Sequence, residues 1–258
     1  AVGNLVGKQF AKDSKFQPKL QLAYHWTKDL MLYSTWAKGF RSGFFNTGRS
    51  TRAEQTDNVE IGFKQTAHAG RVQINGAVFY TDYSDQQLTS AIAQAPFRVT
   101  TNIPKSTIKG AEFDITAKVG QRLKINAALG YIDTEINDIH LNTPATPDWT
   151  ANVGILHSQA IDNGINWINR LDYIYQGEMY LHLEAPPLAS EYRQRFWVDA
   201  KEYLNIRSSI ELKNWRFSAF VNNVLQTQQA TDFTDFGGKF VRSYNKPRAW
   251  GIAAEYRF

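Results

Sequence analysis

The sequence predicts an all-β fold, an antiparallel transmembrane β-barrel segment of about eleven strands, and three observations predict it. Apolar and polar residues alternate with period two in eleven separate segments. The connections between those segments are short and long in strict alternation, which sorts turns to one end of the sheet and loops to the other. The last segment stops flush on an aromatic, with Trp250, Ile252, Ala254, Tyr256 and Phe258 on one face and Gly251, Ala253, Glu255 and Arg257 on the other. Terminal residues of a water-soluble sheet fray and gain nothing from being greasy. A strand with lipid on one side and a polar lumen on the other needs both rows.

Composition excludes several alternatives. With 258 residues, 43% hydrophobic, 14% aromatic and 21% charged, the chain is neither disordered nor a helical membrane protein. It has no run of the roughly 18 apolar residues that a spanning helix requires. The mean hydropathy of −0.43 decides nothing, because a barrel strand averages each lipid-facing residue with a polar one. The net charge of +5 comes from Lys and Arg dispersed among 24 acidic residues, so no nucleic-acid partner is expected. The absence of Cys fits an oxidising envelope and also many cytosolic proteins. Ala1 is followed by no secretory leader, which is expected if a signal was removed or if the sequence is an internal piece.

The strands are expected near 16–26, 30–41, 55–66, 71–82, 105–118, 122–133, 148–158, 165–176, 200–213, 215–224 and 248–258. In the first, Leu20, Leu22, Tyr24 and Trp26 alternate with Lys19, Gln21 and His25. The second is ambiguous, since Leu30, Leu32 and Trp36 share a face with Lys38. Val72, Ile74, Val78 and Tyr80, then Leu123, Ile125, Ala127, Leu129 and Tyr131, form the apolar rows of later strands. Leu204, Ile206, Ser208, Ile210 and Leu212 alternate with Asn205, Arg207, Ser209 and Glu211, and Trp215, Phe217, Ala219 and Val221 make the next row. An Arg at the bilayer midplane costs about 2–4 kcal/mol, so the Leu and Ile rows face lipid, with their aromatics at the interfaces. Asn58, Glu60 and Lys64, Glu112, Asp114 and Lys118, and Asn166, Arg170 and Asp172 face inward and predict a lumen holding water or a polar plug. Short turns are expected at 27–29, 67–70, 120–121, 159–164 and Asn214, and long loops at 42–54, 83–104, 134–147, 177–199 and 225–247.

Eight stretches carry a family resemblance: FQPKLQLAYHWTKDLMLYSTWAKGFRSGFFN at 16–46, DNVEIGFK at 57–64, NGAVFYTDYSDQQL at 75–88, KGAEFDITAKV at 109–119, LGYIDTEI at 129–136, TPDWTANVGI at 146–155, FVNNVLQTQQA at 220–230 and KPRAWGIAAEYRF at 246–258. In this order they resemble successive barrel segments of TonB-dependent outer-membrane receptors. Two positions depart from the pattern, Phe44 after Gly43 and Val224-Leu225-Gln226, and they bear on the subfamily. Neither an energy-coupling box nor a plug is legible, and eleven strands are half of a 22-stranded plugged transporter. The chain is therefore expected to be a single-domain fragment over 1–258, the C-terminal half of such a barrel. A complete twelve-stranded passive, porin-like channel, with Val2 to Phe10 as the extra strand, is the alternative.

The resemblance implies residence in the outer membrane of a Gram-negative bacterium and uptake of a scarce nutrient, foremost an iron–siderophore complex. Its implied partners are outer-membrane lipid and lipopolysaccharide, the small-molecule ligand, the TonB complex acting through a plug, and the barrel-assembly machinery. That machinery would read Trp250, Tyr256 and Phe258 as an assembly signal. Arg41, Phe44, Phe45, Arg49, Arg52, Tyr83, Arg98, Tyr180 and Arg193 are the ligand-contact candidates, because rings beside guanidinium groups suit an anionic, partly aromatic ligand. Phe97, His182, Tyr192, Arg195, Phe233 and Phe236 lie in the same expected loops. Asp133, Glu135, Asp138 and His140 lack the fixed spacing of a zinc site and read as a solvated loop. No cofactor, metal site or catalytic residue is expected, and the chain does not read as an enzyme.

Overall fold

The computed structural model describes residues 13–46, 49–91, 98–137, 143–162, 164–181, 197–236 and 239–258. The strands are β1 (Lys19–His25), β2 (Leu30–Arg41), β3 (Phe45–Asn46), β4 (Arg49–Ser50), β5 (Glu54–Ala67), β6 (Val72–Ala91), β7 (Arg98–Val119), β8 (Leu123–Ile136), β9 (Trp149–Asp162), β10 (Ile165–Gln176), β11 (Met179–Tyr180), β12 (Trp197–Val198), β13 (Lys201–Leu212), β14 (Trp215–Asn222), β15 (Ala230–Phe236), β16 (Lys239–Tyr244) and β17 (Ala249–Tyr256). Eleven of them form one sheet in the order β1-β2-β5-β6-β7-β8-β9-β10-β13-β14-β17. Each sheet neighbour is antiparallel to the next. Among the described residues β1 and β17 each pair on one side only.

Period-two alternation places the strands correctly, and β2 and β10 have the expected bounds. The expected 83–104 loop is a correction. Pairing of β6 with β7 runs on past Tyr83↔Ser106 to Ala91↔Arg98. This extension is polar on both faces, so it carries no apolar row to betray it, yet Thr residues favour extended backbone and Thr89 and Thr100 bond through their hydroxyls at 2.8 Å. The ladder skips at Asp85 and Pro104, where Asp85 has φ 56° and Pro104 has no N–H to donate. Three further hairpins, β3–β4, β11–β12 and β15–β16, stand within the other long connections.

The short turns close locally. The Thr27 hydroxyl accepts from the N–H groups of Asp29 and Leu30 at 3.1 and 3.0 Å. His68, Ala69 and Gly70 turn through positive φ, as does Lys213 between β13 and β14. Gly110, in the wall itself, answers to a different demand. A Cβ there would stand 2.4 Å from the Tyr131 carbonyl oxygen and 2.6 Å from Cζ of Phe79, whose ring covers the glycine.

Register confirms the two faces. Leu20 opposes Trp36, which opposes Val59, which opposes Tyr80. Leu171, Ile206, Val221 and Trp250 make a similar row farther on. The ambiguous β2 is resolved: Lys38 lies on the apolar face, opposite Asp57, with 3.6 Å between ammonium and carboxylate. Trp36 Nε1 donates to Asp57 at 2.6 Å. Lys38 therefore marks where the apolar band ends, just beyond the Trp36 ring. Lys109 and Asp133, 3.0 Å apart, mark it again two residues beyond Tyr131.

Among the described residues, none covers the apolar face. Ile136 and Val198 are the buried hydrophobic residues among those described, whereas Leu22 and Val78 are 65% and 55% exposed. Sequestering a Leu or Val from water is worth about 1.5–3 kcal/mol, so this face requires hydrocarbon around it. Two outcomes test this architecture. Val78→Arg in the intact protein should cost about 2–4 kcal/mol in refolding into lipid vesicles, while Gln73→Arg on the other face should change little. Gly110→Val should destabilise by about 1–3 kcal/mol, read as loss of the heat-resistant band on gels, because the added side chain meets backbone and ring together.

Candidate functional site

The loop end of the sheet is held together by amide side chains. Hairpin β3–β4 closes on Thr51, whose N–H donates to the Phe44 carbonyl at 2.8 Å while its hydroxyl oxygen accepts from the Phe44 N–H at 2.9 Å. Gln87 Nε2 then donates to the carbonyls of Ser42 and Arg52 at 2.9 and 3.0 Å. Asn102 accepts from the Arg52 N–H at 2.7 Å and donates to the carbonyls of Arg52 and Asp85 at 2.9 and 2.7 Å. Glu54 accepts the Gln87 N–H at 2.7 Å, and the Ser106 hydroxyl donates to Gln86 at 2.6 Å. These side chains do for the loop 42–54 what a ladder does for a strand.

Five of the nominated ligand residues gather around this knot. The Arg52 guanidinium is exposed but tied, with Nε donating to Asp85 at 2.9 Å. That hydrogen bond and the Asp85 charge hold it above its ordinary pKa. Arg41 ends β2 directly opposite Glu54 in register and is exposed. Tyr83 is half-buried and opposes Ser106. Phe44 and its neighbour Phe45 are exposed at the tip. Tyr180 belongs to a second group, its ring edge-on to Trp197 at 4.9 Å and its carbonyl accepting the Ala145 N–H at 2.6 Å. The backbones of Arg49 and Arg98 lie in β4 and β7; their side chains, those of Phe233 and Phe236, and all of Phe97, Asp138, His140, His182, Tyr192, Arg193 and Arg195 lie outside the described residues.

The knot itself was not anticipated. Asp85, Gln86, Gln87 and Asn102 were read as loop, and the signal that could have found them is the run of amides and threonines, which is strand composition without an apolar face. Of the acidic group 133–140, Asp133 turns to Lys109 on the apolar side of the sheet. Among the described residues no three His, Cys, Asp or Glu could share a metal ion.

Below the loops, the polar face carries paired hydrogen-bonding groups. The Tyr33 hydroxyl donates to Glu60 at 2.7 Å, Asn58 to Thr81 at 2.7 Å, Asn75 to Asp114 at 2.9 Å, and Arg170 grips Asp172 through two bonds of 2.7 Å. A cavity of about 240 Å³ opens here between Phe79, Glu112, Gly130 and Thr150, roofed by Thr146 and Pro147. The roof is anchored where the Thr143 N–H donates to the Thr134 hydroxyl at 2.8 Å. At the opposite end, the Tyr256 ring lies tilted against Trp215 and edge-on to Phe258, with centroids 4.9 and 5.2 Å apart, and the Arg257 N–H donates to the Asn214 carbonyl at 2.9 Å. Trp250 lies higher on the same strand, opposite Val221.

A family model described as TonB dependent receptor-like, beta-barrel, matches residues 2–224. The chain belongs to that family. The ferric yersiniabactin uptake receptor FyuA from Yersinia pestis superposes with a TM-score of 0.78 at 19% identity, over 93% of this chain and 37% of that one. The ferric-catecholate import receptor Fiu from E. coli K12 gives 0.71 at 16% identity, over 93% and 34%. The copper transporter OprC gives 0.73 at 13% identity, over 93% and 39%. The chain thus spans between a third and two fifths of those proteins' length. The eleven-stranded sheet is the barrel portion of a TonB-dependent receptor, residing in the outer membrane of a Gram-negative bacterium, and the passive-channel alternative is not favoured. This family is one of transport receptors rather than enzymes.

The knot makes a specific demand. Asn102→Leu should leave the Arg52 N–H and the Asp85 carbonyl without their Asn102 bonds, each at a cost of about 1–3 kcal/mol, and free the 42–54 loop. Hydrogen exchange should then rise across 42–54 while the strands of the sheet keep their protection.

Proposed function

We propose that this chain is one part of the barrel of a receptor that imports an iron–siderophore complex across the outer membrane, driven by the TonB complex acting on a plug seated within that barrel. One observation carries the reading: in a TonB-dependent receptor barrel, exposed Arg41, Phe44 and Phe45 surround an ordered knot at the loop end, directly above a polar wall. Guanidinium groups and aromatic faces bind an anionic, partly aromatic chelate by charge and cation–π contact. The knot sets these side chains on rigid backbone, which limits the ordering cost of binding. Arg52 serves as a clamp through Asp85 and gives the ligand a lesser contact.

The polar wall supplies the path. Its rows of paired donors and acceptors keep the lumen wet and offer a plug a hydrogen-bonding surface to slide against. At the other end Trp250, Tyr256 and Phe258 serve as the signal by which the assembly machinery recognises the strand. Lipopolysaccharide and phospholipid enclose the outward rows.

Uptake of radiolabelled ferric siderophore by cells carrying the full-length receptor tests this directly. Import should stop when an uncoupler collapses the proton-motive force, and Arg41→Ala with Phe44→Ala should weaken binding about tenfold or more with normal amounts of assembled receptor. Import that continues after uncoupling contradicts the reading.

A further inference from the structure

One row of the outward face breaks the apolar pattern. Reading across the sheet, Leu123 opposes His157, His157 opposes Asn169, Asn169 opposes Ser208, Ser208 opposes Ala219 and Ala219 opposes Ile252. The row starts at the first residue of β8, beside a short turn, so its polar end lies near the periplasmic rim. Strands in such barrels tilt by about 35–45°, so moving along the row toward β17 climbs into the hydrocarbon. The register shows the same drift: the row holding Ala67, the last residue of β5, arrives at Trp250, the second residue of β17.

The polar end is organised and incomplete. Trp167 Nε1 donates to the Ser208 hydroxyl at 2.9 Å, and that hydroxyl donates to Asn169 Oδ1 at 2.8 Å. The His157 ring stands edge-on to Trp167 at 6.1 Å. This chain of bonds fixes the Asn169 amide with its oxygen toward Ser208, leaving two N–H donors without a partner among the described residues. A polar group facing hydrocarbon without a hydrogen bond is costly. The apolar end is a trough of about 600 Å³, floored by the small Ser208 and Ala219 and walled by Trp167, Ile210, Phe217 and Ile252.

We propose that this row is a binding site for a glycerophospholipid of the periplasmic leaflet. The acceptors of its phosphate and ester groups take the N–H donors of Asn169 and His157, and one acyl chain fills the trough. The order of the row, polar at headgroup depth and small and apolar deeper in, matches the order of groups along such a lipid. Lipopolysaccharide, confined to the far leaflet, meets the other rim, where Lys38 and Lys109 stand.

The test uses full-length receptor in nanodiscs of phosphatidylethanolamine and phosphatidylglycerol, doped with a phospholipid carrying a photoreactive diazirine in mid-chain. Crosslinks should concentrate on peptides covering 206–221 and 249–256, and Ala219→Trp, which fills the trough, should reduce them about fivefold. Lipid retained through detergent purification, counted by native mass spectrometry, should fall about tenfold in Asn169→Leu and His157→Leu. These two variants place apolar groups in lipid and should refold at least as readily as the parent, so loss of lipid is separable from loss of fold. Even labelling of the outward rows of β5 to β8, unchanged retention in both Leu variants, or displacement of the lipid by lipopolysaccharide would overturn the assignment.

Discussion

A strand inside a bilayer has no water to satisfy its backbone, and the rest of this structure depends on that constraint. Every N–H and C=O at membrane depth must find its partner on a neighbouring strand. The antiparallel ladder supplies those partners on both sides of each strand between β1 and β17, and once the ladder is set, register leaves no freedom over faces. A slip of one residue would carry Arg207 and Glu211 to the side now held by Ile206 and Ile210. At about 2–4 kcal/mol for an Arg at the midplane, the two-faced pattern is the strongest statement in the chain. Phe258, at the end of the last strand, belongs to the lipid row because of it.

From that constraint follow the two surfaces that carry function. On the lumen side, polar groups are paired locally: Arg170 by an ion pair with Asp172, Glu60 by a hydrogen bond from the Tyr33 hydroxyl. On the lipid side, charge is confined to the rims, as with Lys38 and Asp57 beyond the Trp36 ring. Inside the outward band the row through His157, Asn169 and Ser208 gathers three polar side chains on adjacent strands, and that departure from the pattern is what gives it meaning. Between the surfaces, close packing is local, as where the Phe79 ring lies on Gly110. The tightest packing on the loop side is polar, with Gln86, Gln87 and Ser106 buried and bonded.

How much of this the sequence disclosed depends on whether an element has two chemically distinct faces. β10 and β13 do, and their extents and orientation were legible. β2 was located but not oriented, because Lys38 sits on an otherwise apolar row and its partner Asp57 is on the next strand. The outer halves of β6 and β7 have polar residues on both faces and read as loop. The knot is illegible for a different reason: Arg52 and Asp85 are 33 residues apart, and nothing local to either predicts the other. Family resemblance fixed the class of protein, while the solved neighbours include both ferric-siderophore receptors and a copper transporter on the same scaffold. We propose that cargo choice resides in rim side chains such as Arg41 and Phe44 rather than in the sheet.

The row through Ile206, Ile210, Ala219 and Ile252 faces hydrocarbon, and the row through Asn205, Arg207 and Ser209 faces a wet lumen. This chain contains no cysteine, so with any cysteines elsewhere in the full-length receptor replaced, single Cys residues placed along β13 and β17 can each carry a spin label without background. Power-saturation measurements with oxygen and with a water-soluble nickel chelate should then alternate residue by residue. Positions 206, 210 and 252 should favour oxygen, and 205, 207 and 209 the chelate. Equal access of both relaxants on both rows, or the inverse alternation, would contradict the account.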